Sequence, residues 1–212
     1  VLAGAMLPNG QLVPLGLSAA SDTAEKTDTP DGIVDGDQET PGDQEIDLTY
    51  APLHSGLRVG GTNQILVTAA INIAGGGKKE GGSIIFSEVG PLKEALTPGE
   101  FLPYATASSF DAKTRLLTIS EVKGAHFYRA VFTGPQATRW QVMMPKDMAG
   151  KAVKLPDLMT WGSKQDLGKA PKRAFVGAFE LRTARTFVEL FQPDGLFDLV
   201  RLVKRTSFID VH

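Results

Sequence analysis

The residues best suited to chemistry in this sequence are the carboxylates gathered between Asp22 and Asp47. Ten acidic residues and one lysine give this stretch a net charge of −9, whereas 14 acidic and 21 basic residues give the rest of the chain +7. Closely spaced carboxylates can coordinate a divalent cation, bind a basic surface or remain solvated in a flexible segment. The total charge of −2 therefore hides a strong division of charge along the chain.

Calcium binding is the first alternative for these carboxylates. An EF-hand loop that begins at Asp35 requires Gly at its sixth position and Glu at its twelfth, but the sequence has Thr40 and Ile46 there. The motif DGIVD, from Asp31 to Asp35, resembles a fragment of the Asp-rich calcium repeats of secreted adhesion proteins, although the preceding alternate acids are missing. A calcium-stabilised adhesion-type domain with Asp31, Asp35 and Asp37 as ligands is therefore an alternative and not the main prediction.

A leash or docking arm is the preferred interpretation of the acidic stretch. Between Ser18 and Glu45 the large apolar residues are limited to Ile33 and Val34, so burial cannot offset the entropy lost on ordering. The basic remainder of the same or a neighbouring copy offers a complementary surface. The residues predicted to dock on a partner are Asp28, Asp31, Asp35, Asp37, Glu39, Asp43 and Glu45.

Residues that carry out nucleophilic or metal-assisted catalysis lack the necessary spacing. His54, His126 and His212 are not separated by the two or four positions typical of a zinc site. Cysteine is absent, which excludes a thiolate nucleophile and a disulfide framework. The run GGGKKEGG at 75–82 fails as a phosphate-binding loop, because no Ser or Thr follows Lys78. We therefore predict no catalytic residue, no enzyme activity and, calcium aside, no cofactor.

Aromatic side chains suggest a binding function of a different class. Tyr128, Trp140 and Trp161, together with Tyr104, would form an exposed platform for sugar rings, which makes a carbohydrate-binding module the alternative function. The competing interpretation is that Tyr128 and Trp140 are core residues or a cross-strand pair on facing arms of a hairpin, where aromatic contacts stabilise the strands directly.

The basic residues are spread over many predicted strands, without the interleaved aromatic residues of proteins that bind single-stranded nucleic acid. No apolar run approaches the ~18 residues that a membrane-spanning helix needs. The predicted partner is therefore another protein, either a second copy or a larger assembly, with a polysaccharide as the alternative. Neither nucleic acid nor a membrane-spanning segment is predicted.

Turn signals between short apolar stretches predict a series of hairpins. The first is centred on Asn9-Gly10, and Pro8 and Pro14 place both of its arms at sheet edges. A short helical turn is predicted within 91–103. Further strands and one short helix, which includes Leu196, Leu199, Val200 and Val203, are predicted from period-two and helical spacing. The remaining strands are predicted within 56–89, 104–122, 126–145, 173–182 and 207–211, with a loop at 146–172.

Alternation along two of these strands predicts which residues share a face. Residues 65, 67, 69, 71 and 73, all of them Ile, Val or Ala, would form one apolar face. In the hairpin at 126–145, the side chains of Phe127, Arg129 and Val131 would point away from those of Tyr128, Ala130 and Phe132.

This organisation indicates an all-β protein, or a β-rich one with a single short helix. Strands at short, turn-marked intervals without a βαβ alternation predict an antiparallel β-sandwich or open barrel. We divide the chain into an N-terminal hairpin or processed export-signal remnant at 1–17, an acidic arm at 18–47 and a β-sandwich domain at 48–212.

The first residues, VLAGAM, contain a small-x-small motif at Ala3 to Ala5 of the kind that signal peptidase favours. Together with the Asp/Gly/Pro-rich stretch that follows, they resemble the N-terminal linker of bacterial exported surface lipoproteins, over about the first 50 residues. The alternative is a plain first strand. The resemblance implies an extracytoplasmic protein that is periplasmic, on the outer surface or secreted. The predicted function is an exported, non-catalytic surface or assembly subunit whose acidic arm docks on a basic body.

Overall fold

A computed structural model describes residues 1–8, 11–19, 46–49, 51–52, 54–57, 63–72, 80–89, 97, 99–134, 139–162, 166–167, 171–183, 186–191 and 202–211. The described residues form an all-β fold of an eight-stranded antiparallel sheet and a three-stranded sheet, as the sequence predicted. The strands are β1 Leu2–Met6, β2 Leu12–Leu17, β3 Asn63–Asn72, β4 Gly81–Val89, β5 Ser109–Asp111, β6 Leu116–Thr118, β7 Phe127–Thr133, β8 Arg139–Pro145, β9 Ala152–Lys154, β10 Arg173–Leu181 and β11 Val203–Asp210.

The large sheet has the strand order β2-β1-β3-β4-β11-β10-β7-β8, and the small sheet has the order β5-β6-β9. Each predicted hairpin is present: β1–β2, β3–β4, β5–β6 and β7–β8 pair antiparallel. Because β1 also pairs with β3, the N-terminal hairpin is joined to the large sheet. The last strand, β11, lies between β4 and β10. It therefore joins the half of the sheet formed by β2, β1, β3 and β4 to the half formed by β10, β7 and β8.

The main core lies where the small sheet packs on one face of the large sheet, which we call the inner face. Strand β7 contributes Tyr128, Ala130 and Phe132, all of them fully buried. Leu117 and Ile119, both 0% exposed, cover them from β6 and the segment that follows it. Apolar burial of this extent is the main source of stability in a fold of this size. Strand β10 adds Ala174, Val176 and Ala178 to the same core.

Two specific contacts lock β7 in this core. The Phe132 ring lies 4.7 Å from the Phe110 ring of β5, measured between centroids, which joins the two sheets. The Tyr128 hydroxyl accepts a 2.9 Å hydrogen bond from the backbone N–H of Val122. A fully buried phenol requires such a partner, because an unsatisfied polar group in the core is costly.

A buried ion pair attaches the β5–β6 hairpin to the loops beside it. Arg115 donates to both carboxylate oxygens of Asp166, at 2.9 and 2.6 Å, and to the carbonyl oxygen of Pro156 at 2.9 Å. Arg115 is the one non-glycine residue with positive φ, 59°, among the residues described. The left-handed backbone conformation is costly for a residue with a side chain, and the bidentate pair with the 5%-exposed Asp166 offsets this cost.

The segment around residues 100–103 crosses the inner face and is held there by side chains of the large sheet. Ser83 and Ser207 lie opposite each other on β4 and β11. Ser83 donates to the Leu102 carbonyl at 3.1 Å and Ser207 donates to the Pro103 carbonyl at 2.6 Å. Small polar residues are therefore buried at this point because they bind backbone that has no strand partner.

A second, smaller core lies on the opposite, outer face of the large sheet, near one end of β7 and β10. The Phe127 and Phe179 rings stack there at 4.7 Å between centroids and 8° between planes. Leu181, Leu190 and Val203 complete the cluster of buried residues.

The face predicted on β3 runs from Ile65, which is buried, to Ile71, which is 69% exposed. Other sequence predictions were wrong in detail. The loop predicted at 146–172 contains strand β9, and Val203, assigned to a helix, begins β11. Pro14 does lie on the edge strand β2, whereas β1, the other arm of that hairpin, is paired on both sides.

Two further expectations lie largely outside the described residues. Of the helical turn expected within 91–103, the part at 91–96 falls there, and no helix is present at 99–103. Of the helix expected before the last strand, Leu196, Leu199 and Val200 fall there too.

We expect Tyr128→Phe to lower the free energy of unfolding by about 1–3 kcal/mol, because the buried N–H of Val122 loses its acceptor. Urea unfolding followed by circular dichroism measures the change. The matched control is Tyr104→Phe, which removes the hydroxyl of a half-buried ring packed against the same core. This change should cost less than about 0.5 kcal/mol. Equal losses in the two variants would contradict the role given to the Tyr128 hydroxyl.

Candidate interaction surface

Tyr128 cannot take part in the aromatic platform predicted from the sequence. Tyr128 is 0% exposed, so its ring cannot stack on a ligand. Trp140 is half-buried and packs against the main core, and it lies opposite Phe132, while Tyr128 lies opposite Met144. Trp161 ends a short 3-10 helix, Leu158–Trp161, and its side chain lies outside the description. Tyr128 is thus a core residue and Trp140 packs against the same core, as the competing interpretation predicted, although the two side chains do not lie opposite each other.

The residues predicted to dock on a partner, Asp28, Asp31, Asp35, Asp37, Glu39, Asp43 and Glu45, all lie outside the described residues. The calcium ligands predicted among them, Asp31, Asp35 and Asp37, fall outside the description as well. Among the residues that are described, no group of three or more His, Asp or Glu side chains is placed to hold a metal ion. The basic surface that could receive the acidic stretch, by contrast, lies within the described part.

Three arginines on adjacent strands form such a surface, which we call the arginine surface: Arg129 on β7, Arg139 on β8 and Arg173 on β10. Thr133 of β7 pairs with both Arg139 and Arg173, so these two flank it in one row across the sheet. Arg129 lies four residues earlier on β7, roughly 13 Å along the strand. Opposed residues share a face and successive residues alternate, so all three arginines project from the outer face.

Packing on the inner face is what directs these side chains outward. Arg129 lies between Tyr128 and Ala130, both of which are fully buried in the main core. On β10, Arg173 precedes the buried Ala174 by one position. The alternation of β7 was visible in the sequence. The three-strand cluster was not, because it depends on which strands pair and in which register.

Arg129 is partly buried on the outer face and is supported by an aromatic ring. Its guanidinium carbon lies 5.4 Å from the centroid of the Phe179 ring, in a cation–π arrangement. Gly177, opposite Arg129, leaves space for this, since a Cβ there would come within 3.0 Å of the Phe179 ring. Burial lowers the pKa of Arg129 from its ordinary value, and the nearby charge of Arg139 lowers it further. A negative charge placed beside Arg129 would raise its pKa and so offset both effects.

Within the described part of the chain, no carboxylate forms an ion pair with Arg129, Arg139 or Arg173. The cations that brace the fold differ in this respect, because Arg115 pairs with Asp166, and Lys204 and Arg205 pair with Glu180. The arginine surface is thus a cluster of like charge that is available to an anionic partner.

The Glu180 carboxylate is the centre of the second ion-pair group. It accepts from Lys204 Nζ at 3.0 Å and from Arg205, whose guanidinium also donates to the Glu100 carbonyl at 2.6 Å. Burial acts to raise the pKa of Glu180, but the hydrogen bonds and charges of Lys204 and Arg205 outweigh it and leave the pKa below its ordinary 4.5. This group therefore ties β10 and β11 to the segment that crosses the inner face.

Two open grooves on the body are lined by residues that also hold the fold together. In the groove of ≈ 490 Å³ that His126 lines with Glu121 and Asp147, the imidazole Nδ1 accepts a 3.0 Å hydrogen bond from the Leu181 N–H. His126 thus holds the end of β10. The second groove, of ≈ 570 Å³, is lined in part by Arg115, which is already engaged with Asp166.

Comparisons with protein-family models, with curated protein sequences and with solved structures found no match to this chain. Over the residues that the structure describes, no helix has the length and apolar character required to cross a membrane. The functional interpretation therefore depends on the chain's own geometry and charge.

We expect the Glu180 ion pairs to make stability depend on acidic pH. Because the folded-state pKa is lowered, Glu180 stabilises the fold above pH 4.5, and this contribution is lost as the pH falls through the folded-state pKa. Glu180→Gln should cost about 1–3 kcal/mol at neutral pH, and the difference from the parent should vanish at low pH. Urea unfolding between neutral pH and about pH 3 measures it.

The control for this experiment is Glu121→Gln, since Glu121 is exposed and forms none of these ion pairs. Its free energy of unfolding should follow that of the parent at every pH. A Glu180→Gln variant whose loss of stability does not change with pH would show that the carboxylate charge is not the stabilising feature.

Proposed function

We propose that this protein is an exported, non-catalytic surface or assembly subunit, in which the acidic stretch at 22–47 docks on the arginine surface of the same or a neighbouring copy. The observation that carries the proposal is the arginine surface itself, where Arg129, Arg139 and Arg173 lie on one face without a carboxylate partner among the described residues. The stretch of net charge −9 is the chain's own source of the missing anions.

The attraction between three arginines and three carboxylates is strong enough for reversible docking. An exposed ion pair contributes about 0.2–1 kcal/mol, so three pairs amount to roughly 0.6–3 kcal/mol, or a factor of about 3 to 150 in an equilibrium constant. Arg129 should contribute at the upper end, because burial and the Phe179 ring have already removed part of its hydration shell. Docking of this strength is reversible and sensitive to salt.

The arrangement of polar groups on the body favours a binding role over a catalytic one. In the part of the chain that is described, the histidines His54 and His126 each accept a backbone N–H at Nδ1, from Gly56 and Leu181. The strongest ion pairs brace loops and strands and do not line an enclosed cavity. An interaction surface requires neither convergent catalytic groups nor exclusion of water.

Sedimentation velocity of the full-length chain tests the proposal with two variants that remove the two sides of the interaction. One variant neutralises the acidic side through the substitutions D28N, D31N, D35N, D37N, E39Q, D43N and E45Q. The other is R129Q/R139Q/R173Q. Both should lower the sedimentation coefficient to the same value, by dissociation if docking joins copies and by expansion if it lies within one copy.

A matched control replaces three exposed lysines of the small sheet and its turns, K113Q/K151Q/K154Q, and so removes the same charge elsewhere. It should sediment like the parent. Raising the ionic strength from about 0.1 M to about 1 M shortens the Debye length from ~10 to ~3 Å and should reproduce the effect of the arginine variant. A parent, an acid-neutralised and an arginine-substituted chain that all sediment alike at low salt would refute the proposal.

A further inference from the structure

The two edges of the large sheet differ in how far they are closed. Strand β2 at one edge contains Pro14, its register with β1 shifts between Ala3 and Gly4, and its Leu15 carbonyl accepts a 2.9 Å hydrogen bond from the Ala51 N–H. A proline, a bulge and a neighbouring chain segment are the usual means by which an edge strand is protected against further pairing.

Strand β8 at the other edge contains no internal proline and no register shift, and among the described residues no segment is hydrogen-bonded along its outer side. It pairs with β7 over seven residues, Arg139 to Pro145, without a register shift, and its proline is the last residue. No strand in the described ranges pairs with its other side. The side chains of Arg139 and Gln141 are exposed. Such an edge presents a row of backbone donors and acceptors to an incoming strand.

We propose that the β8 edge accepts an extended acidic segment as an added antiparallel or parallel strand, with carboxylates at every second residue facing the arginine surface. This inference rests on the proposed function and adds the binding mode to it. The partner class is a peptide strand, so backbone hydrogen bonds give affinity and the alternate side chains give specificity.

The spacing of charges on the outer face defines that partner. Residues 139, 141 and 143 of β8 lie on this face at intervals of about 6.8 Å. Carboxylates at alternate positions of an added strand would repeat with the same interval. The first would lie beside Arg139, the second beside the Gln141 amide, and the third in the row of Met143 and Arg129. Three anions thus match the roughly 13 Å between the two arginine rows.

This chain contains a sequence with the required pattern. Asp35, Asp37 and Glu39 alternate with Gly36 and Gln38. A synthetic peptide of residues 33–41, IVDGDQETP, therefore serves as the probe. A control peptide with positions 37 and 38 exchanged, IVDGQDETP, keeps the composition and the net charge but moves one carboxylate to the other face of an extended strand.

Fluorescence anisotropy measures binding of each peptide to the full-length chain with the seven neutralising substitutions, so that its own acidic stretch does not compete. The control peptide should bind about threefold to fivefold more weakly, because the carboxylate that would accept a hydrogen bond from the Gln141 side-chain amide is moved to the other face of the strand. Hydrogen exchange of the same complex should show protection of alternate amides of β8, which a purely electrostatic contact would not produce.

Proline substitution tests the backbone contribution. Amides of successive residues in an edge strand point alternately toward the neighbour and outward. Of Q141P and V142P, one therefore removes a donor to β7, and the other removes only an outward donor. The variant that retains the parent melting temperature should bind the peptide about tenfold more weakly. The control Q141N keeps both the backbone N–H and a side-chain amide at this position and should bind within about threefold of the parent.

The outcomes separate this inference from the proposed function. Alternate protection of β8 together with a preference for the alternating peptide supports strand addition. Binding that depends on the three arginines, but that neither protects β8 nor distinguishes the peptides, overturns strand addition and leaves docking on the arginine surface intact. Peptide binding that does not depend on the three arginines overturns both strand addition and docking on the arginine surface. The absence of peptide binding at low salt also overturns both. If both proline variants unfold, the exchange pattern decides.

Discussion

The alternation of β7 between the two faces of the large sheet is the constraint on which the structure and its proposed function depend. Tyr128 and Phe132 are fixed on the inner face, one by the Val122 hydrogen bond and the other by the Phe110 ring. A shift of one residue would bury Arg129 and Val131 in their place and expose both aromatic rings to water. The packing of the small sheet therefore determines the inner face and, with it, the position of the arginines on the outer face.

Five of the arginines fall into two groups, one that forms ion pairs within the fold and one that does not. Arg115 and Arg205 brace the fold, since each joins a buried or partly buried carboxylate and also donates to a backbone carbonyl of a neighbouring loop. Arg129, Arg139 and Arg173 form no ion pair within the part of the chain that is described. Three arginines without a carboxylate partner among the described residues thus lie together on one face of the large sheet.

Much of the fold was predictable from local signals, whereas the site depended on long-range pairing. The turns and period-two alternation identified the hairpins and assigned Tyr128 and Arg129 to opposite faces. Burial of β3 could not be predicted in the same way, since exposure at Ile71 depends on what covers that end of the sheet. The neighbours of β11 and the Arg115–Asp166 pair, 51 residues apart in sequence, likewise have no local signal. The three arginines converge only because β10, β7 and β8 are adjacent.

The central claim is that the acidic stretch lies against the outer face at β10, β7 and β8. Because the chain has no cysteine, Gly36→Cys allows a single spin label to be attached within that stretch. Paramagnetic relaxation enhancement of the backbone amides then reports which surface lies near the label. The account predicts the strongest broadening at Arg139, Gln141 and Arg129, weaker broadening at β5 and β6 of the small sheet, and its removal by salt. Broadening centred on another surface, or none at low salt, would contradict it.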